Sequence, residues 1–265
     1  MQIKKYPVTK VIHSSTINFQ DDIVVEEPLE IFINGKSQYF CMRLDCDDIA
    51  LAVGLCFIDG IIEAYSDIKN IYFNPEENPN RLDIELFEEK KDFKNLEQRI
   101  IKSSTGSIKS KDIADFFESR IKKIEKTDTI AYQDIFKLQK DFLDRQKVFY
   151  QTGATHAVSI YNQKGEFLAF AEDIGRHNAM DKCIGKILMN NQKQDAFIAI
   201  LSSRLSYEMV SKACNLGIQI IAGASAPTSL AVEIAKKCNL TLAGFLRERK
   251  FNIYTCPERI TGLLT

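Results

Sequence analysis

The chain has 265 residues, 45% hydrophobic and 27% charged, and its 35 Lys+Arg nearly balance 36 Asp+Glu for a net charge of −1. That is a globular composition, longer than one compact core usually needs, so one large domain or two unequal lobes are expected. The charge balance gives no global attraction to nucleic acid or an anionic membrane, and no apolar run approaches the roughly 20 residues that span a bilayer.

The start, Met1-Gln2-Ile3-Lys4-Lys5-Tyr6-Pro7, lacks the apolar stretch of a secretory signal. Seven cysteines, an odd number with no C-x-x-C spacing, argue against a disulfide framework and for a reducing cytoplasm. Cys183, Cys214 and Cys238 fall in or near predicted helices and read as small hydrophobes.

In chain order, Leu29, Ile31 and Ile33 alternate as a strand, and Asn34-Gly35 is a hairpin turn into a strand over 38–42. A helix is predicted from about Asp48 through Leu51, Leu55 and Ile58, with Asp47 and Asp48 at its positive end and Gly60 as its stop. Strands follow over 70–73 and 81–87. From Glu88 to about Lys111 the chain turns polar, a connecting segment with an exposed loop at Ser103-Ser104-Thr105-Gly106-Ser107. Ile113, Phe116, Phe117, Ile121 and Ile124 make one helical core stripe; Ile135, Leu138, Phe142 and Leu143 make the next. The division expected is a smaller α+β lobe over 1–110, connecting helices over 111–150, and a second lobe over 151–265.

That second lobe is more regular. Strands over 158–161 and 167–170 flank the turn Asn162-Gln163-Lys164-Gly165. Next, Glu172-Asp173-Ile174-Gly175-Arg176-His177-Asn178-Ala179-Met180-Asp181-Lys182 crowds charges around one glycine and opens a helix marked by Met180, Ile184, Ile187 and Leu188. Such a cluster either meets an anionic ligand at the helix start or caps that start with salt bridges. A strand over 196–201, a helix from Tyr207 to Gly217, a strand over 218–222, a helix over 228–237 and strands over 240–246 and 251–254 complete the lobe. The fold class expected is α/β, a sheet covered on both faces and at least partly parallel.

Ligands of open α/β sheets bind beyond the carboxyl ends of the strands. Three predicted ends carry hydroxyls, small residues or cations: Ser202-Ser203-Arg204, Gly223-Ala224-Ser225-Ala226-Pro227-Thr228-Ser229, and Phe245-Leu246-Arg247-Glu248-Arg249-Lys250. Arginine suits phosphate because its planar fork donates two hydrogen bonds together. If the hairpin shares this sheet, Arg176 and His177 join a site for a phosphorylated, nucleotide-like ligand. Taken singly, each tip is also a helix cap or a solvated basic turn.

Other chemistries are poorly served. Val158 stands two residues after His156, where H-x-E needs its glutamate, and without C-x-x-C the chain lacks the zinc deaminase signature of H-x-E and P-C-x-x-C. No Walker loop, strand-borne G-x-G-x-x-G or G-x-S-x-G elbow is present. Cys41 and Cys46 are a weak metal pair, and His13 reads as exposed, so no metal site is predicted.

Together, Thr152-Gly153-Ala154-Thr155-His156-Ala157, the 172–182 string, Ser202-Ser203-Arg204-Leu205-Ser206-Tyr207-Glu208-Met209-Val210, Ser225-Ala226-Pro227-Thr228-Ser229-Leu230-Ala231-Val232-Glu233 and Asn239-Leu240-Thr241-Leu242-Ala243-Gly244-Phe245 resemble the formate dehydrogenase accessory protein (FdhD) family. Met42-Arg43, Asp47-Asp48 and Ile58-Asp59-Gly60-Ile61-Ile62-Glu63 extend the resemblance into the first lobe. It implies a cytoplasmic homodimer whose main lobe is cytidine-deaminase-like but without zinc. It also implies a sulfurtransferase that takes sulfur from a cysteine desulfurase as a cysteine persulfide. The sulfur would pass to the molybdenum cofactor, bis(molybdopterin guanine dinucleotide), which is delivered to formate dehydrogenase. The family's cofactor segment falls on Phe245 through Lys250, and guanine nucleotides would mimic the cofactor's distal half.

The family's sulfur-carrying C-G-x-C falls on Thr105-Gly106-Ser107-Ile108, where neither threonine nor isoleucine supplies the thiolate a persulfide needs. No catalytic residue carries over. The expected site is a binding site: Arg176, His177, Ser202, Ser203, Arg204, Ser225, Phe245, Leu246, Arg247, Glu248, Arg249 and Lys250. Cys46, beside a helix N-terminus, and Cys256 are substitute carriers, Cys46 blunted by Asp45, Asp47 and Asp48. The alternative is a non-catalytic cofactor-binding or docking protein.

Overall fold

The structure, a computed structural model, describes residues 2–87, 123–125 and 128–263. It opens on an element that the sequence did not announce. Strands β1 (Ile3–Ile12) and β2 (Ser15–Val24) pair antiparallel along their whole length, forming a separate two-stranded ribbon. Pro7 lies inside β1 and the turn carries His13 at φ 54° rather than a glycine, so both hairpin signals are missing. His13 is exposed there, as expected.

The small lobe follows prediction. β3 (Glu27–Ile33) and β4 (Lys36–Arg43) close around Asn34 at φ 48° and Gly35 at φ 77°, the left-handed pair that a tight hairpin requires. β5 (Ile68–Tyr72) and β6 (Arg81–Leu86) complete a sheet of order β4-β3-β6-β5. Leu29, Ile31, Leu82 and Ile84 share a core with Leu51, Val53 and Cys56 of α1 (Asp48–Ile58).

The main sheet has order β13-β12-β11-β10-β8-β9. Its strands are β8 (His156–Tyr161), β9 (Phe167–Asp173), β10 (Ile198–Leu201), β11 (Ile220–Gly223), β12 (Thr241–Arg247) and β13 (Lys250–Thr255). β10, β11 and β12 are parallel, whereas β8 and β13 run against them. A short pair, β7 (Ile130–Ala131) with β14 (Ile260–Thr261), stands beside it. The fold is therefore mixed α/β.

Alternation along the strands sends successive side chains to opposite faces. Val158, Ile160, Ala199, Leu201 and Ile221 pack against α4 (Arg176–Met189), α5 (Tyr207–Leu216) and α6 (Ser229–Lys237). Tyr161, Ile198, Ile200, Ile220 and Ala222 meet Ile135, Leu138 and Phe142 of α2 (Tyr132–Arg145). So α2 is not a connector, contrary to the expected division. It is the cover of one sheet face, and Leu143 looks outward. The helix α3 (Lys147–Thr152) follows it directly. Ile124 is buried; the rest of its stripe (Ile113, Phe116, Phe117, Ile121) and the Ser103–Ser107 loop with Thr105 and Ile108 lie outside the described residues. Cys183, Cys214 and Cys238 are buried as expected. Among the described residues, no helix is long and apolar enough to cross a membrane.

The lobes are welded where α1 crosses α4. A β-carbon on Gly54 would land on the Asp181 carbonyl oxygen, and one on Gly185 would land on that of Ala50. With glycine at both positions the helices touch backbone to backbone, and a single hydrophobic core runs through both lobes.

Candidate functional site

Because β9, β10, β11 and β12 point the same way, their carboxyl ends open on one edge, where β8 and β13 also begin. Topology thus brings Arg176, His177, Ser202, Ser203, Arg204, Ser225 and residues 245–250 to a common rim. Backbone hydrogen bonds lace the tips together: Ala224 N donates to Leu201 O at 3.0 Å and Phe245 N to Ser225 O at 3.2 Å. Arg247 Nη1 donates to Ala224 O at 2.5 Å and to Leu246 O at 3.0 Å, so this guanidinium is a strut between two tips.

Side-chain directions sort the predicted residues. Leu246 is buried in the core and its carbonyl also accepts from Gln139 Nε2 at 3.2 Å. Ser203 is buried too, its hydroxyl donating to Arg204 O at 3.2 Å. Arg204, Phe245, Glu248, Arg249 and Lys250 are exposed. Phe245 stands out: φ is 55° at a break in the β12–β13 register, and the residue is 43% exposed. A bulky residue in that region is strained by roughly 1–3 kcal/mol, and bulges of this kind re-aim side chains. Here an aromatic face is turned out of the sheet beside a basic turn.

At the other end of the rim, Ser202 Oγ accepts from Ala157 N at 2.9 Å and lies 3.5 Å from His156 Nδ1. Burial and the neighbouring Arg176 lower the His156 pKa. Arg176 Nε is buried without a hydrogen-bond partner. An orphaned cationic donor of this kind is costly unless an acceptor meets it.

Most of the charged knot turns inward. Glu172 accepts from Val148 N, Phe149 N and Thr155 Oγ1 at 3.0, 2.8 and 2.9 Å, capping α3. Asp173 Oδ2 pairs with Lys182 Nζ at 2.6 Å, both wholly buried, and accepts from Leu44 N at 3.1 Å. Its Oδ1 accepts from Gly175 N at 2.9 Å and Asn178 Nδ2 at 3.0 Å, which fixes the first turn of α4. Lys182 also donates to Leu44 O at 2.9 Å, and Asp181 pairs with Lys212 at 2.6 Å. Of the knot, only Arg176 and His177 are left at the rim.

His177 Nε2 lies 3.3 Å from Glu208 Oε2, yet burial, then Lys212 and Arg176, push its pKa down to about 4. The carboxylate is partly solvated and two cations oppose it, so the contact is a hydrogen bond to a neutral imidazole. The folded value lies below the 6.5 of a free histidine, so the unfolded chain binds more protons between about pH 6.5 and 4. Stability is therefore complete above that window and falls as pH drops through it. Urea titrations from pH 7 to 4 will show a steeper fall in midpoint for the wild type than for His177→Asn.

The substitute carriers fare poorly. Cys46 Sγ sits 3.7 Å from Lys182 Nζ, but burial raises its pKa, with Asp47 and Asp173 adding and Lys182 opposing. Asp48, named for this effect from sequence, is instead held by Arg43 in two bonds of 2.9 and 2.8 Å. Cys256 is raised as well, by burial and then Glu258. Among the described residues no group of three His, Cys, Asp or Glu is placed to hold a metal. Sequence reasoning missed the Asp173–Lys182 pair and the Phe245 conformation. Helical spacing gave no hint of the former, because Lys182 lies opposite the Met180, Ile184 and Ile187 stripe of its helix.

A family model described as FdhD/NarQ matches residues 24–261. A protein of Sulfolobus acidocaldarius named sulfur carrier protein FdhD is 36% identical over 264 residues, covering 98% of this chain and 99% of its own. One of the same name from Streptomyces coelicolor is 34% identical over 253 residues, covering 91% and 89%. The crystal structure of a formate dehydrogenase accessory protein from Desulfotalea psychrophila is similar in fold, with a TM-score of 0.80 at 22% identity over 98% of this chain and 100% of that one.

Proposed function

This chain belongs to the FdhD/NarQ family, and from that membership we propose that it is a formate dehydrogenase accessory protein that holds the molybdenum cofactor on the rim of its main sheet. There it would take part in sulfur delivery from a cysteine desulfurase to bis(molybdopterin guanine dinucleotide). The order β9-β8-β10-β11-β12, an antiparallel hairpin followed by three parallel strands, supports a cytidine-deaminase-like reading of the main lobe. The observation that carries the ligand assignment is the strained, outward Phe245 beside Arg249 and Lys250, on the same rim as the orphaned Arg176 Nε. The Phe245 ring offers a stacking face to guanine, while Arg176, Arg204, Arg249 and Lys250 neutralise the pyrophosphate.

Calorimetry with guanosine diphosphate tests this directly. Micromolar binding is expected for the wild type, weakening as salt rises because the contacts are between charges. Base stacking of this kind contributes about 1–3 kcal/mol, so Phe245→Ala should weaken binding roughly tenfold or more. Arg249→Ala with Lys250→Ala should do the same, and Arg247→Ala will also loosen the tips it braces. A wild type that binds nothing at millimolar nucleotide would remove the assignment.

A second reading, cofactor holding without sulfur relay, is favoured by the cysteines. All seven are buried or half-buried. Burial heads the causes that raise the pKa of Cys41, Cys46, Cys56, Cys183 and Cys256; the hydrogen bond with Cys214 lowers that of Cys238, but this thiol is buried away from a sulfur donor. A thiol held protonated is a poor sulfur acceptor. After incubation with a desulfurase and labelled cysteine, no persulfide label is expected on this chain; label on any cysteine refutes the second reading and restores the relay.

A further inference from the structure

β4 is an edge strand. The order of its sheet is β4-β3-β6-β5, so among the described residues only β3 pairs with it. In an antiparallel pair the rungs alternate, one exchanging both backbone hydrogen bonds and the next exchanging none. Pro28 stands opposite Met42 and has no N–H to give, so that rung is of the second kind. Met42 therefore turns its own N–H and C=O to the open edge, where its carbonyl accepts from Asn178 Nδ2 at 2.8 Å. No bulge intervenes before the Glu30–Phe40 rung, so alternation turns the N–H and C=O of Phe40 outward as well. Phe40 is 71% exposed there. Edges of this kind usually carry lysine, proline or a bulge against unwanted pairing. β4 has Lys36 and a bulge near its start, and none of these from Tyr39 to Met42. What guards that stretch is charge. Residues 25–87 hold 13 Asp or Glu against four Lys or Arg, a net charge of −9 in a chain whose total is −1. Three of the four bases, Arg43, Lys69 and Arg81, are already bound to Asp48, Glu85 and Asp83.

We propose that β4 takes up, as a further strand of the small sheet, an extended segment of a partner protein that carries lysine or arginine at alternate positions. Backbone hydrogen bonds to the outward groups of Phe40 and Met42 hold such a strand, and its alternate side chains share their face. A lysine opposite Phe40 crosses that ring and comes within reach of Glu30 on the strand behind. The acidic lobe draws a basic segment in and repels a second copy of itself, because pairing two β4 edges brings like charge against like. Place adds to charge. Asn178, which touches Met42, belongs to the first turn of α4 beside Arg176 and His177, so a segment laid on β4 leads to the rim. The surface therefore suits a protein that docks in order to reach what the rim holds. The inference does not depend on which ligand that is, since neither Phe40 nor Glu30 lies on the rim.

The test uses the full chain and a fluorescent peptide of alternating lysine and valine, about ten residues long to match the edge, with a glutamate–valine peptide as control. Anisotropy should show the lysine peptide binding at roughly 10–100 µM in low salt and severalfold more weakly at about 0.3 M salt, with no binding of the control. Phe40→Pro removes one outward N–H and no bond of the β3–β4 ladder, so the sheet stays and affinity should fall about 30-fold. Glu30→Lys leaves every backbone group in place and should weaken binding about tenfold, which keeps the test decisive should the proline variant not fold. A lysine peptide that does not bind at about 1 mM overturns the inference, as does equal binding of the two peptides. So does a folded Phe40→Pro with wild-type affinity, or sedimentation showing that wild-type copies pair through β4 and part in that variant. Guanosine diphosphate binding should be unchanged in both variants, and a wild type that takes the peptide but no nucleotide removes the rim assignment alone.

Discussion

Alanine at residue 54 or 185 will destabilise the whole protein, against the usual trend for glycine in a helix. In an exposed helix interior Gly→Ala gains about 1 kcal/mol from backbone entropy. Here the added methyl would occupy the space of a carbonyl oxygen on the facing helix, Asp181 for residue 54 and Ala50 for residue 185. Neither oxygen belongs to a side chain that can rotate away, so the helices must separate along their length. Overpacking of this kind costs about 1–3 kcal/mol and occasionally more. Set against that gain, a net loss of up to about 2 kcal/mol is expected for each variant, roughly 4–8 °C in melting temperature for a chain of this size. The double variant will lose less than the sum, because helices parted by the first methyl accommodate the second. Urea denaturation of the three variants decides the matter, and a melting temperature raised by Gly54→Ala would contradict the crossing described.

The second large effect sits one turn away. Asp173 and Lys182 are both wholly buried, and removing one member of such a pair leaves an uncompensated charge, typically at 3–5 kcal/mol. Lys182→Met leaves Asp173 with donors from Leu44, Gly175 and Asn178, so it should be the milder change. Asp173→Ala strands the ammonium beside one carbonyl and one thiol, and releases three donors as well. The double change Asp173→Leu with Lys182→Met should recover part of the loss, because no buried charge then remains. Asp173 also seats the first turn of α4, so Asp173→Asn should weaken nucleotide binding without touching nucleotide. A double-mutant cycle by denaturation, with calorimetry on each corner, separates the two effects; a coupling energy near zero would show that the pair is incidental.

How far the sequence foretold this protein depends on the range of the interaction. The small-lobe hairpin was legible because Asn34-Gly35 is a local signal that needs no partner. The alternation of Leu82, Ile84 and Leu86 was equally local, and those side chains are buried. The rim residues were legible as strand ends, and parallel strand order then did what spacing could not, placing distant tips together. The first ribbon was invisible because Pro7 and a non-glycine turn mask it, and its side chains meet no core. In the 172–182 string, charge alone could not separate ligand contacts from struts. Lys182 and Arg176 are both cations in one helix, and burial sets one against Asp173 and the Leu44 carbonyl and leaves the other at the rim. Nothing local marks Gly54 and Gly185 as partners, since each is an ordinary helix position until the other helix arrives.

The coupling between the two sheets has a practical reach. Leu44 supplies both an acceptor to the Lys182 ammonium and a donor to the Asp173 carboxylate. An excised carboxy-terminal half would therefore keep the charge pair and lose the backbone that solvates it, with the bare flank of α4 open to water. For anyone cutting this chain into expression fragments, the halves are one object: the smaller supplies part of the larger one's interior.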